Sequence, residues 1–316
     1  MKVLIFGAGV IGTLYGWALS KADNDVTLFV KESNQERFTK GPITIDIYDD
    51  RKLPFRCPTD LYSPKITTNF NSDNCYDLLI VCIKHYQVPD SLPVLKTNAG
   101  NAIILFFGNQ WDTFDLIDKQ LENNYIYGSP WGGGSLINNE LKGGLHQSLI
   151  IGEKDGAVSE RTTRIRQLFV DSGFNPLISK NIKERLTVSF VQNAAMLAAA
   201  IKANGCGNLA EDKPAILDLY ASTIEVLNLL KCKGINARGI DQAKPFFYIP
   251  RWLFVPVFKR LINNPVTLTM AENYRSNSTR EIMRMYYDVF DYAKELNYGL
   301  PIFGKYKADI DRIGAV

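Results

Sequence analysis

The chain opens on a short apolar run, Val3, Leu4, Ile5 and Phe6, with no polar break. Such a run suits a strand buried on both faces of a parallel sheet. Val10, Ile11, Leu14 and Leu19 follow at helical spacing. Residues 25–30 read as a second strand. Residues 43–47 alternate apolar and polar, like an antiparallel or edge strand, and residues 77–84 are apolar until Lys84. Residues 102–107 form a further buried strand that closes on Gly108, Asn109 and Gln110. Residues 125–129 read as a strand, 131–135 (WGGGS) as a flexible turn, and 136–152 as two short strands around Gly143 and Gly144. An amphipathic helix over 160–172 and a strand over 174–178 complete this half.

After Ser179 the period changes from strand to helix. Helical patterns cover residues 182–203, 212–233, 250–261, 267–276 and 280–296. Thr279 is placed to cap the last of these, with Glu281 in the first turn, where a carboxylate meets the helix dipole favourably. The chain therefore reads as α/β: a Rossmann-type doubly wound sheet over residues 1–178, then an all-helical substrate and dimerisation domain over 179–316. The active site is expected in the cleft.

Composition narrows the class. A chain of 316 residues can hold two domains, and 46% hydrophobic with 22% charged residues is ordinary for a globular protein. The net charge of +3, without a dense basic block, argues against nucleic acid as a partner. No apolar run approaches the roughly 20 residues of a membrane span. The first strand begins at Val3, so no secretory leader is expected. Cys57, Cys75, Cys82, Cys206 and Cys232 are odd in number and form no C-x-x-C pair, which reads as reduced thiols of a cytoplasmic protein. His146 has no third ligand or triad partner near it in sequence and reads as structural, so no metal site is expected. His85, the second histidine, directly follows Lys84.

Gly7, Gly9 and Gly12 fall at G-x-G-x-x-G spacing between the first strand and the first helix. Gly7 permits the turn, Gly9 lets a pyrophosphate approach the backbone, and Gly12 lets the helix pack closely. Together with Ala8, Val10 and Ile11 they predict a dinucleotide site at a helix N-terminus. Lys31, just past the second strand, suits a 2′-phosphate and favours NADP(H), although Glu32 follows at once. Lys84 and Asn109 stand where buried parallel strands end, the edge at which ligands bind in such sheets. In the helical half, Arg185, Ser189 and Asn193 repeat at i, i+4, i+8 and share a face. The AAMLAAA that follows Asn193 predicts dry surroundings for it, and buried polar groups need partners. Thr269, Asn273 and Arg275 precede Glu281 at helical spacing.

These residues resemble the ketopantoate reductase (2-dehydropantoate 2-reductase) family over nearly the whole chain. The resemblance runs from GAGVIG at Gly7 through CIKHYQV around Lys84, Asn109, YGSPWGGGS and GGLHQSLIIG to Asn193 and Glu281. It implies a helical domain of the 6-phosphogluconate dehydrogenase-like kind. It also implies NADPH-dependent reduction of a 2-oxo acid, with 2-dehydropantoate reduced to pantoate in pantothenate (coenzyme A) biosynthesis, and a homodimer through the helical domain. The family's general-acid lysine falls on Arg185, its first helix asparagine on Ser189 and its substrate serine on Thr269. Its arginine at the second strand falls on Lys31, and an aspartate near the late helix falls on Asn273. Asn193 is kept as a substrate-binding asparagine, and Glu281 as the glutamate that orients substrate.

Arg185 changes the picture most. A guanidinium stays protonated, with a pKa above about 12, and is a poor proton donor. It can clamp a carboxylate or stabilise an oxyanion. The departures leave open a proton from Lys84, a bulkier 2-oxo acid received beside the aromatic segment 250–261, or NADPH binding without turnover. A different enzyme on the same scaffold, one joining or oxidising amino or hydroxy acids, stays open as well.

Overall fold

The computed structural model describes residues 1–51, 59–121 and 124–314, and of residues 275–277 the backbone alone. Cys57 and the Arg275 side chain lie outside the described residues. The chain divides into two compact units, Met1–Lys183 and Glu184–Val316.

The first unit is a mixed α/β body with two sheets. Its twelve described strands are β1 (Lys2–Phe6), β2 (Asp25–Phe29), β3 (Ile43–Asp49), β4 (Asp60–Tyr62), β5 (Lys65–Thr67), β6 (Leu78–Val81), β7 (Ile103–Phe107), β8 (Tyr125–Ser129), β9 (Gly132–Ile137), β10 (Glu140–Leu145), β11 (Ser148–Gly152) and β12 (Asn175–Ile178). Five helices accompany them: α1 (Val10–Ser20), α2 (Glu32–Thr39), α3 (Val88–Asn98), α4 (Phe114–Gln120) and α5 (Glu160–Asp171). The large sheet runs β12-β11-β8-β7-β6-β1-β2-β5. It is parallel except where β11 meets β8. Val3, Leu4 and Ile5 are fully buried, as their unbroken apolar run predicts.

The order of this sheet places the site. From β1 the chain winds outward through β2 to β5, then returns to β6 on the other side of β1 and continues to β7 and β8. The winding reverses between β1 and β6, and a crevice opens at the carboxyl ends of strands flanking such a reversal. Phe6 is in register with Phe29 on β2 and Val81 on β6, and Val81 with Phe106 on β7. The segments carrying Gly7, Lys31, Lys84 and Asn109 therefore leave the sheet at one edge. β6 ends at Val81, so Lys84 stands three residues beyond the strand rather than at its last position.

The second sheet, β4-β3-β10-β9, departs from the sequence expectation. β3 is antiparallel to β4, as one of its two alternatives expects, but it is not an edge strand, since β10 lies parallel to it on the other side. WGGGS is not a flexible turn, since Gly132–Ile137 is β9, paired with β10. Nor does His146 lie within a strand: it follows β10. Its Nδ1 lies 2.6 Å from Asp50 Oδ2, a carboxylate partner 96 residues away that the local sequence could not reveal.

A half-buried polar cluster ties β8 and α4 to the end of the unit. Asp118 on α4 accepts hydrogen bonds from Tyr125 Oη at 2.6 Å and Tyr127 Oη at 2.9 Å, and from the Lys183 ammonium. Burial alone would raise the Asp118 carboxyl. The Lys183, Tyr125 and Tyr127 hydrogen bonds outweigh it and hold the pKa below the ordinary aspartate value. Glu153 is likewise pushed up by burial and pulled further down by Arg161, Ser159 and Thr162. A carboxyl whose folded pKa lies below its unfolded value contributes stability above the unfolded value, and loses it as pH falls through the folded one. Denaturant midpoints should therefore hold down to about pH 5 and drop steeply below about pH 4. Asp118→Asn should remove part of that drop; an unchanged slope in the variant would contradict the role given to Asp118.

The second unit is helical. Its helices are α6 (Ile182–Lys202, which begins within the first unit), α7 (Cys206–Glu211), α8 (Lys213–Leu229), α9 (Lys244–Tyr248), α10 (Arg251–Ile262), α11 (Pro265–Asn277), α12 (Thr279–Glu295) and α13 (Lys307–Gly314). Ser278, not Thr279, precedes α12, and it supplies no side-chain cap. The aromatic segment has two faces. Phe254, Val255 and Ile262 are buried, whereas Trp252 is 75% exposed and Leu261 62%. Among the described residues no helix is long and apolar enough to cross a membrane.

Candidate functional site

The glycine loop is built by close approach on two sides and by open space on the third. Gly7 has φ +115°, and a Cβ there would stand 2.8 Å from the Cys82 carbonyl oxygen and 2.9 Å from Ile83 Cγ2. The segment after β6 thus presses on the turn after β1. A Cβ on Gly12 would stand 2.0 Å from the Gly7 carbonyl oxygen, so α1 can start here only without a side chain. Gly9 is different: nothing in the protein approaches within 4 Å of where its Cβ would be. Its lack of a side chain is not required by the protein's own packing.

Gly9 is also the N-cap of α1. It offers no side-chain cap, and the first turn carries no acidic residue. The opening N–H groups, those of Val10 and Ile11 among them, and the positive dipole end remain available to an anion. The hydroxyl of Thr13, one residue past Gly12, is buried without a hydrogen-bond partner among the described residues. The loop therefore fits a dinucleotide pyrophosphate.

Lys31 is exposed and lies beyond the end of β2, where its own carbonyl opens α2 by accepting from Asn34 N–H at 2.8 Å. Lys84 is half-buried and opens the helical turn after β6, its N–H donating to Gln87 Oε1 at 3.1 Å. His85 beside it is buried, its ring edge-on to Tyr86. Asn109 is half-buried just past β7, and the next residue, Gln110, is buried and accepts a hydrogen bond from Thr113 Oγ1. Burial pushes the Cys82 thiol far above its ordinary range, so no thiolate nucleophile stands beside Gly7. Among the described residues no group of three or more side chains could hold a metal ion.

In the helical unit the polar stripe of α6 divides. Arg185 and Ser189 are half-buried and share a partner: the Gln242 side-chain amide donates to the Arg185 carbonyl at 2.8 Å and to Ser189 Oγ at 2.8 Å. Asn193, one turn on, is exposed, which corrects the dry setting expected from AAMLAAA. Ala194, Ala195, Ala198 and Ala199 are buried, but they lie at other angles around the helix. Thr269 on α11 is half-buried, and its carbonyl accepts from Asn273 Nδ2 at 2.8 Å. Glu281 is half-buried in the first turn of α12.

The residues missed by sequence reading are Asp241 and Gln242. They sit in a one-turn 3₁₀ helix, Asp241–Ala243, between longer elements, where no periodicity marks them. Lys183, the lysine nearest Arg185 in sequence, is not part of its stripe. It lies two positions from Arg185, on another face of α6, and is held by Asp118.

Residues 3–154 match the model of the family described as ketopantoate reductase PanE/ApbA. The 2-dehydropantoate 2-reductase of Pyrococcus horikoshii is 24% identical over 314 residues, 96% of this chain and 94% of that protein. The uncharacterized oxidoreductase YkpB of Bacillus subtilis is 24% identical, but the match spans 62% of this chain and only 63% of YkpB. Among solved structures, D-mandelate dehydrogenase with NADH and anilino(oxo)acetate superposes with a TM-score of 0.76 at 15% identity, covering 99% of each chain. That likeness is one of fold: an N-terminal parallel sheet followed by a helical region.

Proposed function

We propose, from the match of residues 3–154 to the ketopantoate reductase family model, that this chain reduces a 2-oxo acid to the 2-hydroxy acid with NADPH. The observation that carries this reading is the single sheet edge from which the glycine loop, Lys84 and Asn109 all emerge. Gly7 to Gly12 hold the pyrophosphate, and Lys31 meets the 2′-phosphate, which favours NADPH over NADH. The bound dinucleotide supplies the hydride. Lys84 and Asn109 stand at the nicotinamide end. Arg185 binds the substrate carboxylate or the developing alkoxide as a fixed cation. Lys84, whose ammonium can lose a proton where a guanidinium cannot, delivers the proton directly or through water. Ser189, Asn193 and Thr269 offer hydrogen bonds to the substrate's oxygens, and Glu281 orients it.

The substrate that fits the family is 2-dehydropantoate, which would place the enzyme in pantothenate biosynthesis. One observation favours a second reading, a bulkier 2-oxo acid: the structural relative with a TM-score of 0.76 is a D-mandelate dehydrogenase that carries anilino(oxo)acetate. Comparing kcat/KM for 2-dehydropantoate and phenylglyoxylate, each with NADPH, separates the two. A higher value for 2-dehydropantoate supports the first, and a higher value for phenylglyoxylate replaces it with the second.

A further inference from the structure

Arg185 is held in an unusual state for a guanidinium. Its side chain is only 13% exposed. Of its five N–H donors, none makes a hydrogen bond among the described residues, and its Nε is buried without a partner. Its one ion pair among the described residues, to Asp241 Oδ2, is long at 3.7 Å. Asp241 is meanwhile engaged by Lys244 Nζ at 2.7 Å. Buried guanidinium groups are ordinarily saturated by bidentate anions. The backbone that carries this group is fixed with care: Gln242 donates to the Arg185 carbonyl and to Ser189 Oγ, and its own carbonyl accepts from Gln192 Nε2 at 3.1 Å. The turn thus grips α6 at positions 185, 189 and 192, one face over two helical turns.

We propose that Gln242 is the positioning residue for carboxylate recognition, holding Arg185 and Ser189 in place while Lys244 keeps Asp241 from closing on the guanidinium. Because Gln242 donates to Ser189 Oγ, the Ser189 hydroxyl proton is left to point at the same anion. The ligand class is a small carboxylate, which Arg185 takes in two parallel N–H···O bonds. This deepens the reductase reading and rests on it only for the reaction, not for the binding.

The test uses the full chain with NADPH, 2-dehydropantoate and its uncharged methyl ester, in wild type and Gln242→Ala. The variant should raise KM for the acid about tenfold, as loss of one well-placed charged contact does, with KM for the ester and both kcat values little changed. A rise shared equally by acid and ester would show a merely structural role and overturn the proposal, as would no rise at all. Unfolding temperature with and without the acid gives a readout independent of turnover. If no 2-oxo acid is reduced, yet the acid raises the unfolding temperature of wild type and not of Gln242→Ala, the reductase reading fails and the positioning role stands. If neither 2-dehydropantoate nor phenylglyoxylate nor any other 2-oxo acid is reduced, and none raises the unfolding temperature of wild type, both fail.

Discussion

Replacing Gly9 with alanine should leave the fold intact and weaken NADPH binding, whereas Gly12→Ala should damage both. A Cβ on Gly9 meets no protein atom within 4 Å. The only folding penalty is the poorer N-cap, at most about 1 kcal/mol. The same methyl would stand where a pyrophosphate must approach the backbone, and NADPH affinity should fall at least tenfold, about 1.4 kcal/mol. On Gly12 the Cβ would lie 2.0 Å from the Gly7 carbonyl oxygen, where contacts under 3.0 Å essentially never occur. The loop would have to move by about an ångström, and a displacement of that size costs on the order of a hundredfold at a positioned site. The overpacking should also lower stability by about 1–3 kcal/mol. Fluorescence titration with NADPH and denaturant unfolding of both variants check this. Unchanged affinity in Gly9→Ala would mean the pyrophosphate does not lie on this loop.

The largest expected loss of stability is at Arg51. Its guanidinium makes two parallel bonds to Asp49, Nε to Oδ1 at 2.9 Å and Nη2 to Oδ2 at 2.8 Å, with both side chains at most 5% exposed. Nη1 donates to the Ser172 carbonyl at the end of α5, at 3.0 Å. The group also lies over the rings of Trp17 and Phe174, 5.3 and 4.6 Å from their centroids. Arg51→Ala leaves Asp49 buried without its counter-ion, and the unfolding free energy should fall by about 3–5 kcal/mol. Removing both charges with well-packed apolar residues, Asp49→Leu with Arg51→Met, should recover most of that loss, because the pair as a whole is close to neutral against hydrophobic packing. A single-variant loss below about 1 kcal/mol would show that water reaches Asp49 and that the pair is no more than a surface contact.

The inner strands of the large sheet, β1, β6, β7 and β8, were legible because they are buried on both faces and their apolar runs are unbroken, although that of β6 continues past the strand to Ile83. That is why Gly7, Lys84 and Asn109 could be placed at one edge from the sequence. The small sheet was not legible, for a reason visible in β9. Gly133 and Gly134 pair with Gly144 and Gly143, and a Cβ on Gly134 would lie 2.1 Å from the Lys142 carbonyl oxygen. The glycines are there because two backbones nearly touch, and in sequence that requirement looks the same as a flexible turn. The polar stripe on α6 was found by its spacing, but Gln242 bonds to Arg185 across 57 residues, and no local pattern encodes such a contact. His146 and Asp50 are hidden for the same reason.

The central claim is tested most directly by following NADPH consumption in the purified protein on addition of a 2-oxo acid, with NADH in parallel. The account predicts saturable oxidation that requires the 2-oxo acid and is much faster with NADPH, yielding the 2-hydroxy acid in equal amount. NADPH that binds but is not oxidised with 2-dehydropantoate, phenylglyoxylate or any other 2-oxo acid would contradict it, and would leave a dinucleotide-binding protein without this reaction.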